Sequence, residues 1–343
     1  MPKLRLLSIT LLLPILLHAQ DTTYAERLGY PKGARVLLIH VDDAGMSEES
    51  NQGAIVALSD GAATSVSVMM PCPWVPGFVK WLHEHPQIDA GLHLTLTAEW
   101  DDYRWGPLSG RKAVPGLVDT TGCLWASVAQ VAQHATPDEV TMEMTAQLER
   151  ARAMGFEPTH LDTHMGTVYA TQQFLMAYIQ LGIKNHIPVM LPGGADKLII
   201  QQGSVSEQQA AGIRELGKLL WNAGLPVLDD LHNFSYDWKI PDSIATPGTL
   251  ATSTSPNNDK KLEQYRTAQY IDALKKLQPG VTMMIMHCTD ASAVFAHISD
   301  SGPLRRGDML AMLNPAFRKA LKDQGILLTT WRELMKRRKT ASL

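Results

Sequence analysis

Acidic and imidazole side chains occur in four short clusters, and each cluster lies in or directly after an apolar run. The first is Asp42 and Asp43 in "HVDDAG", which follows "RVLLI". Two adjacent carboxylates at the mouth of a buried strand repel each other and resist desolvation, so their placement requires a compensating group. The other clusters consist of His93, of the group His160, Asp162 and His164, and of His287 with Asp290.

One carboxylate with two imidazoles is a common ligand set for a catalytic divalent metal that keeps coordination positions open for water. Each cluster alone also has a structural explanation, because an Asp pair can cap a helix and a lone His can be a hydrogen-bonded core residue. His160, Asp162 and His164 alternate, so they would project from one face of an extended chain. The metal hypothesis is favoured because all four clusters are predicted at the same ends of their strands.

Strand-like and helix-like segments alternate between these clusters. The clearest helix is "TPDEVTMEMTAQLERARAMGF", in which Thr136 and Glu139 form a capping box, Pro137 suits the first turn and Gly155 ends the helix. Strands are predicted at 35–41, 64–69 and 88–97 and in "PTHLDTH", "IPVML", "LPVL", "VTMMIMH" and "GILLTT". Helices are predicted at 48–58, 75–84, 136–155, 172–181, 207–222, 260–277 and 308–324. This alternation predicts a mainly parallel sheet in a closed or nearly closed barrel, with its chemistry at the C-terminal strand ends.

The first twenty residues of the 343-residue chain differ from the rest. Lys3 and Arg5 precede an apolar stretch at 6–17, and the small residue Ala19 follows it. Because twelve apolar residues are short for a bilayer span, the pattern predicts a secretory signal peptide at 1–20, with an uncleaved membrane anchor as the alternative. We therefore expect an exported protein, periplasmic or secreted.

The remaining residues, 21–343, are expected to form a single domain with a loop insertion near 99–126. Loss of the leader would change the formal net charge from −3 to −5, and a mildly acidic protein is a poor nucleic-acid binder. No other apolar run approaches eighteen residues, so no stable membrane insertion is expected after cleavage. Cys72, Cys123 and Cys288 contain no CxxC pair, which excludes a cysteine zinc motif and leaves one disulfide open.

Several blocks of sequence resemble the YdjC-like carbohydrate deacetylases, the family of chitooligosaccharide deacetylases. The blocks are "VDDAG", "NQGAIVALSDGAATSVSVMM", "GLHLTLT", "AQLERARAMGFEPTHLDTH" and "VTMMIMH", in the family's order. The resemblance implies a distorted (β/α) barrel of about seven parallel strands, related to polysaccharide deacetylases. It also implies a metal-dependent hydrolase that removes acetyl groups from N-acetylated amino-sugar mono- or oligosaccharides.

The resemblance further implies roles for individual residues. Asp43, His93 and His164 correspond to the metal ligands, Asp42 to the general base and His287, as an imidazolium, to the general acid. His160 and Asp162 are interpreted as groups that orient His164. One divalent ion is expected, Zn²⁺ or Mg²⁺ first, with Mn²⁺, Co²⁺ and Ni²⁺ as alternatives.

The chain departs from the family pattern around the pocket. Ala44 stands where an aromatic is common, the run of alternating histidines stops at His164, and Met190 replaces an expected Arg. The aromatic residues of the insertion could either stack on a sugar ring or anchor the loop; they are Trp100, Tyr103, Trp105 and Trp125.

Other functions are compatible with the same residues. The alternatives are a metal-dependent hydrolase of another ester or glycosidic bond and a sugar-binding protein on the same fold. The sequence leaves open whether the acetyl group is bound to nitrogen or oxygen, and whether the protein is a homodimer.

Overall fold

The computed structural model describes residues 22–244, 256–290 and 292–341. The predicted signal peptide at 1–20 lies outside the described residues. Within the part of the chain that is described, no helix is both long and apolar enough to cross a membrane. Each of the three cysteines is a free thiol.

A parallel sheet forms the centre of the molecule. Its strands are β1 (Arg35–Ala44), β2 (Ser65–Val68), β3 (Ala90–Leu94), β4 (Leu161–Thr163), β5 (Asp230–His232), β6 (Gly280–His287) and β7 (Leu327–Leu328). They are ordered β4-β3-β2-β1-β6-β5, and the two-residue β7 pairs with the first half of β1. The apolar run of β1 is buried on both faces, as expected for a central parallel strand.

Two single bridges connect β4 to β5 and close the sheet. Leu161 of β4 pairs in parallel with Val189, and Pro192 pairs in parallel with Leu228, two residues before β5. The prediction of an α/β barrel of about seven parallel strands is therefore confirmed. The predicted strands "IPVML" and "LPVL" are reduced to these bridges, because prolines such as Pro188 have no N–H to donate to a ladder.

Helices surround the barrel. They are α1 (Tyr24–Arg27), α2 (Glu48–Ser59), α3 (Val75–Glu84), α4 (Val128–His134), α5 (Pro137–Ala153), α6 (Gln172–Asn185), α7 (Lys197–Gln201), α8 (Glu207–Asn222), α9 (Pro256–Lys276), α10 (Gly302–Leu313), α11 (Pro315–Asp323) and α12 (Trp331–Thr340). The expected capping box of α5 is present. The single helix predicted at 308–324 is wrong, because Pro315 cannot continue α10 and instead opens α11 with Asn314 as its cap.

Segment 99–126 lies between β3 and α4, and its structure consists of a 3₁₀ turn at Pro115–Leu117 and one antiparallel bridge between Val118 and Leu124. The indole N–H groups of Trp105 and Trp125 donate to backbone carbonyls, and Trp105 is buried. Trp105 thus anchors the segment to Thr97 after β3, and Trp125 connects two parts of the segment with each other.

Buried aspartates hold the first and last described helices at the N-terminal end of the barrel. Asp229 accepts hydrogen bonds from the backbone N–H groups of Tyr24 and Ala25 at the start of α1. Asp89, just before β3, accepts the corresponding bonds from Trp331 and Arg332 at the start of α12. A shared groove lies between α1 and α12. Both helices are thus fixed at the end opposite the predicted site.

Candidate active site

The C-terminal ends of β1, β3, β4 and β6 bring residues of all four predicted clusters together, but Asp290 of the fourth cluster is exposed and pairs with Arg306 instead. Asp42 is the Cα partner of His287 across the β1–β6 pair, and His93 is the partner of Asp162 across β3–β4. His164 follows β4 directly. Parallel strands end at the same edge of the sheet, so residues far apart in sequence share one pocket.

A distortion at the end of β1 turns both aspartates toward the same place. In a regular strand, neighbouring side chains point to opposite faces of the sheet. The β1–β2 register shifts between Val41 and Ala44, and Asp43 has a φ of 66°, which is unusual for a residue other than glycine. As a result, Asp42 Oδ2 lies 3.9 Å and Asp43 Oδ2 lies 3.8 Å from Nε2 of His287.

The three expected metal ligands lie close together, because His93 and His164 both face one carboxylate oxygen of Asp43. Asp43 Oδ1 lies 3.3 Å from His93 Nε2 and 3.2 Å from His164 Nδ1. All three side chains are buried, and their candidate ligand atoms lie within 4.8 Å of one another. Asp43 Oδ1 is buried without a hydrogen-bond partner. A buried carboxylate oxygen facing two imidazole nitrogens fits a divalent cation.

Carboxylates hold the opposite nitrogen of each imidazole. His93 Nδ1 lies 2.8 Å from Asp162 Oδ1, while His164 Nε2 lies 3.0 Å from both carboxylate oxygens of Glu99. The expectation that Asp162 orients His164 is therefore wrong, because the Asp162 side chain faces His93 on the neighbouring strand β3 and contacts that ring instead. Such carboxylate–histidine pairs fix the ring and its tautomer in metal sites.

His160 lies behind this layer. Its ring stacks on Trp331, with the ring centroids 5.1 Å apart, and its Nε2 is 3.7 Å from Asp162 Oδ2. Burial lowers the pKa of His160, so the neutral form is favoured. His160 therefore supports Asp162 from behind and is not brought to His164.

The chain matches the family model described as YdjC-like protein over residues 36–323. The chain belongs to this family. It is 29% identical to a carbohydrate deacetylase of Thermus thermophilus over 307 residues, which is 90% of this chain and 96% of that relative. It is 31% identical to a chitooligosaccharide deacetylase of Yersinia enterocolitica over 134 residues, which is 38% of this chain and 49% of that relative.

A solved structure from Enterococcus faecalis V583, whose name refers to cellobiose-phosphate cleavage, has the same fold. Its TM-score is 0.67 at 20% identity, covering 88% of this chain and 99% of that chain. The fold of this YdjC-like chain is thus seen in an experimental structure as well.

His40 is the first site residue that the sequence did not reveal. Its Nε2 lies 3.1 Å from Asp42 Oδ1, 2.8 Å from Asp162 Oδ2 and 3.1 Å from Ser67 Oγ. Burial lowers the pKa of His40, but hydrogen bonds to the two carboxylates outweigh burial and raise the pKa to about 9. A buried imidazolium thus connects Asp42 with the aspartate that holds His93 in this YdjC-like site.

Arg305 is the second site residue that the sequence did not reveal. It is buried in α10 and donates from Nη1 to Asp43 Oδ2 at 2.6 Å. Burial would raise the pKa of Asp43, but the charges of Arg305 and His164 hold this pKa well below its usual range. Asp43 therefore remains a carboxylate, with one oxygen on Arg305 and the other facing the histidines.

The expected general acid, His287, differs in protonation from the expectation. Burial lowers its pKa, and the neighbouring Arg305 charge lowers it further. The structure therefore favours a neutral imidazole at rest and not the expected imidazolium. Tyr236 packs against this ring with centroids 4.9 Å apart.

Proposed function

We propose that this protein is a metal-dependent deacetylase that hydrolyses the acetyl group of N-acetylated amino-sugar mono- or oligosaccharides. The proposal draws on membership of the YdjC-like family, whose relatives include proteins named carbohydrate deacetylase and chitooligosaccharide deacetylase. The observation that carries it is the cluster of Asp43, His93 and His164, with Asp42 and His287 beside it.

Asp43, His93 and His164 would hold the metal ion. A divalent cation bound there would polarise an acyl carbonyl and lower the pKa of a water molecule to about 7. Two imidazoles and a single carboxylate favour Zn²⁺, Co²⁺ or Ni²⁺ over Mg²⁺ and Mn²⁺, which prefer oxygen ligands. Zn²⁺ is therefore the first ion to test.

Asp42 acts as the general base through Oδ2. His40 occupies Oδ1 at 3.1 Å, which leaves Oδ2 for the proton of the attacking water. The water oxygen bonds to the acyl carbon as Asp42 takes this proton.

His287 returns the proton to the leaving amine. Its Nε2 lies 3.9 Å from Asp42 Oδ2, which is too far for a direct hydrogen bond, so the proton that Asp42 collects reaches the neutral imidazole through one water molecule. The carbon–nitrogen bond then breaks, the amine nitrogen takes the proton from His287, and acetate leaves with a free amino sugar.

The test is acetate release from a panel of N- and O-acetylated amino sugars and oligosaccharides. The purified protein is assayed as isolated, after chelation and after return of each candidate ion. We expect acetate from N-acetylated members, loss of release after chelation, and recovery with Zn²⁺. Absence of acetate from every member would contradict the proposal, and release from O-acetyl esters alone would change the reaction class.

Export is also part of this proposal. It rests on the pattern of Lys3, Arg5 and the apolar stretch at 6–17. Expression of the full chain in a bacterial host, followed by fractionation and mass spectrometry of the N-terminus, tests it. A full-length protein in the cytoplasmic fraction would overturn this part alone.

A further inference from the structure

Glu99 lies at the start of the insertion and contacts the metal site from outside the expected ligand set. Both of its carboxylate oxygens lie 3.0 Å from His164 Nε2, and the side chain of His164 is buried. When His164 gives up one of its two protons to bind a metal, the acceptor on Nε2 keeps the other proton there, so the lone pair that the metal takes is on Nδ1. Nδ1 is the atom that faces Asp43 Oδ1.

His93 is held in the opposite sense. Its Nδ1 faces Asp162, and its Nε2 faces Asp43. The two histidines thus face the same oxygen of Asp43 with different ring nitrogens. In each histidine a different carboxylate, bound to the opposite nitrogen, determines which nitrogen faces that oxygen. Asp162 is part of the barrel, whereas Glu99 belongs to segment 99–126.

The residues after Glu99 form one wall of the site. The Trp100 ring centroid lies 6.3 Å from that of His164 and 5.9 Å from Cζ of Arg305. The Tyr103 hydroxyl donates to the carbonyl of Met46 at 2.5 Å, just after the β1 aspartates. Segment 99–105 therefore contacts the site through Trp100 and is attached to the residues after β1 through Tyr103.

We infer that Glu99 is a positioning residue for His164, and that it links metal binding to the order of segment 99–105. The inference rests on the proposed metal site. Fixing the ring by Glu99 lowers the cost of presenting Nδ1, and a bound ion in turn holds the His164–Glu99 pair and the wall attached to it.

The test compares Glu99→Gln and Glu99→Ala with the wild type in direct metal binding. Zn²⁺ affinity is measured by competition with a chromophoric chelator on the metal-free protein. Loss of a carboxylate partner of a ligating histidine typically weakens metal binding by about 10–100-fold, and we expect this range for Glu99→Ala. Glu99→Gln keeps an acceptor oxygen of similar shape and should lie between the two.

Asp102→Asn is the matched control. Asp102 is an exposed carboxylate in the same segment, so its replacement removes the same charge without a contact to His164. Its Zn²⁺ affinity should stay within about twofold of the wild type, since an exposed charge contributes little. Thermal unfolding of all metal-free variants separates positioning from folding, because Glu99→Gln should unfold at the wild-type temperature.

Two further readouts concern the ring nitrogen and the wall. In Zn²⁺-loaded protein, ¹⁵N-histidine NMR should show ligation of His164 through Nδ1 and of His93 through Nε2. Hydrogen exchange in segment 99–105 should slow when Zn²⁺ is added to the wild type and change little in Glu99→Ala. Wild-type affinity in both Glu99 variants, or Nε2 ligation by His164, would overturn the inference.

The outcomes distinguish this inference from the proposed function. Weakened Zn²⁺ binding in Glu99→Ala, with no acetate released by the wild type, would leave the positioning role intact and refute the deacetylase. Metal-dependent acetate release by the wild type, with unchanged Zn²⁺ affinity in Glu99→Ala, would support the deacetylase and refute the positioning role.

Discussion

The proposed function gives the two neighbouring aspartates at the end of β1 separate tasks, and the irregular backbone between them brings both side chains toward His287. Asp42→Asn tests this separation. The amide cannot accept the proton of water, so acetate release should fall by about 10²–10⁴-fold while the ligand set is untouched. Turnover and bound Zn²⁺ are measured on the same preparation. A near-native rate would remove Asp42 from the role of base.

His93→Ala should have the opposite effect on the metal. It removes one of the two imidazoles that face Asp43 Oδ1 at 3.3 and 3.2 Å, so the Zn²⁺ content should fall toward zero, as measured by elemental analysis. Exposed His297 provides the control, because His297→Ala removes an imidazole outside the pocket. Unchanged Zn²⁺ content in His93→Ala would contradict the ligand set.

Individual residues of the site were predictable only where their type and strand position were distinctive. Asp43, His93 and His164 stand out as carboxylate and imidazole groups after apolar runs. Arg305 does not, because it lies 262 residues from its partner Asp43, on a helix where an arginine usually reads as surface charge. From the sequence, His40 is equally well explained as a core residue of its strand and as a residue of the site.

Strand β3 packs closely against the His160 ring behind the site, and this packing predicts the effect of a substitution in the strand. A Cβ at Gly91 of β3 would lie 2.3 Å from Cε1 of the His160 ring, which is itself stacked on Trp331. Gly91→Ala should therefore lower the free energy of unfolding by about 1–3 kcal/mol, measured by urea denaturation.

Gly212 in the exposed part of α8 gives the matched comparison. A Cβ there would contact nothing within 4 Å, so Gly212→Ala should raise the free energy of unfolding by about 0.4–1 kcal/mol. Equal effects of the two substitutions would show that the packing at His160 is not restrictive.

At the level of elements, the alternating pattern predicted β1, β2, β3 and their helices well. The alternating pattern did not predict the register of the strands, because the shift near Val41 depends on pairing with another strand and leaves no local pattern. The break between α10 and α11 had a visible signal in Pro315, but the apolar periodicity continued across it.

The whole molecule should lose stability in mild acid through a buried histidine on β5. Burial lowers the pKa of His232 to about 4, and its Nδ1 has no hydrogen-bond partner. The unfolded chain binds this proton near pH 6.5, earlier than the folded chain does. The stability contribution is therefore complete above about pH 6.5 and declines by roughly 3 kcal/mol as the pH falls toward 4.

His232→Gln tests this sign. The free energy of unfolding, measured by urea denaturation of metal-free protein from pH 7.5 to 4.5, should depend less steeply on pH in the variant. Because the site residues titrate equally in both proteins, the difference in slope isolates His232. Identical slopes would show that His232 takes up its proton at the same pH in the folded and the unfolded chain, which would contradict the lowered pKa.

The barrel as a whole was predictable from the number of alternating segments. The way in which it closes was not, since single bridges at Val189 and Leu228 are too short to produce a periodic pattern. Length and composition predict a core of sufficient size, but which strand closes the ring is decided by packing in three dimensions.

The aspartate clamps at α1 and α12 have a consequence for how the enzyme could be handled. Because Asp229 and Asp89 fix both helices at the end of the barrel away from the pocket, attachments at either helix would leave the pocket facing outward. A resin, a sensor surface or a cell envelope could carry the protein by these helices while a bulky glycan still reaches the opposite end.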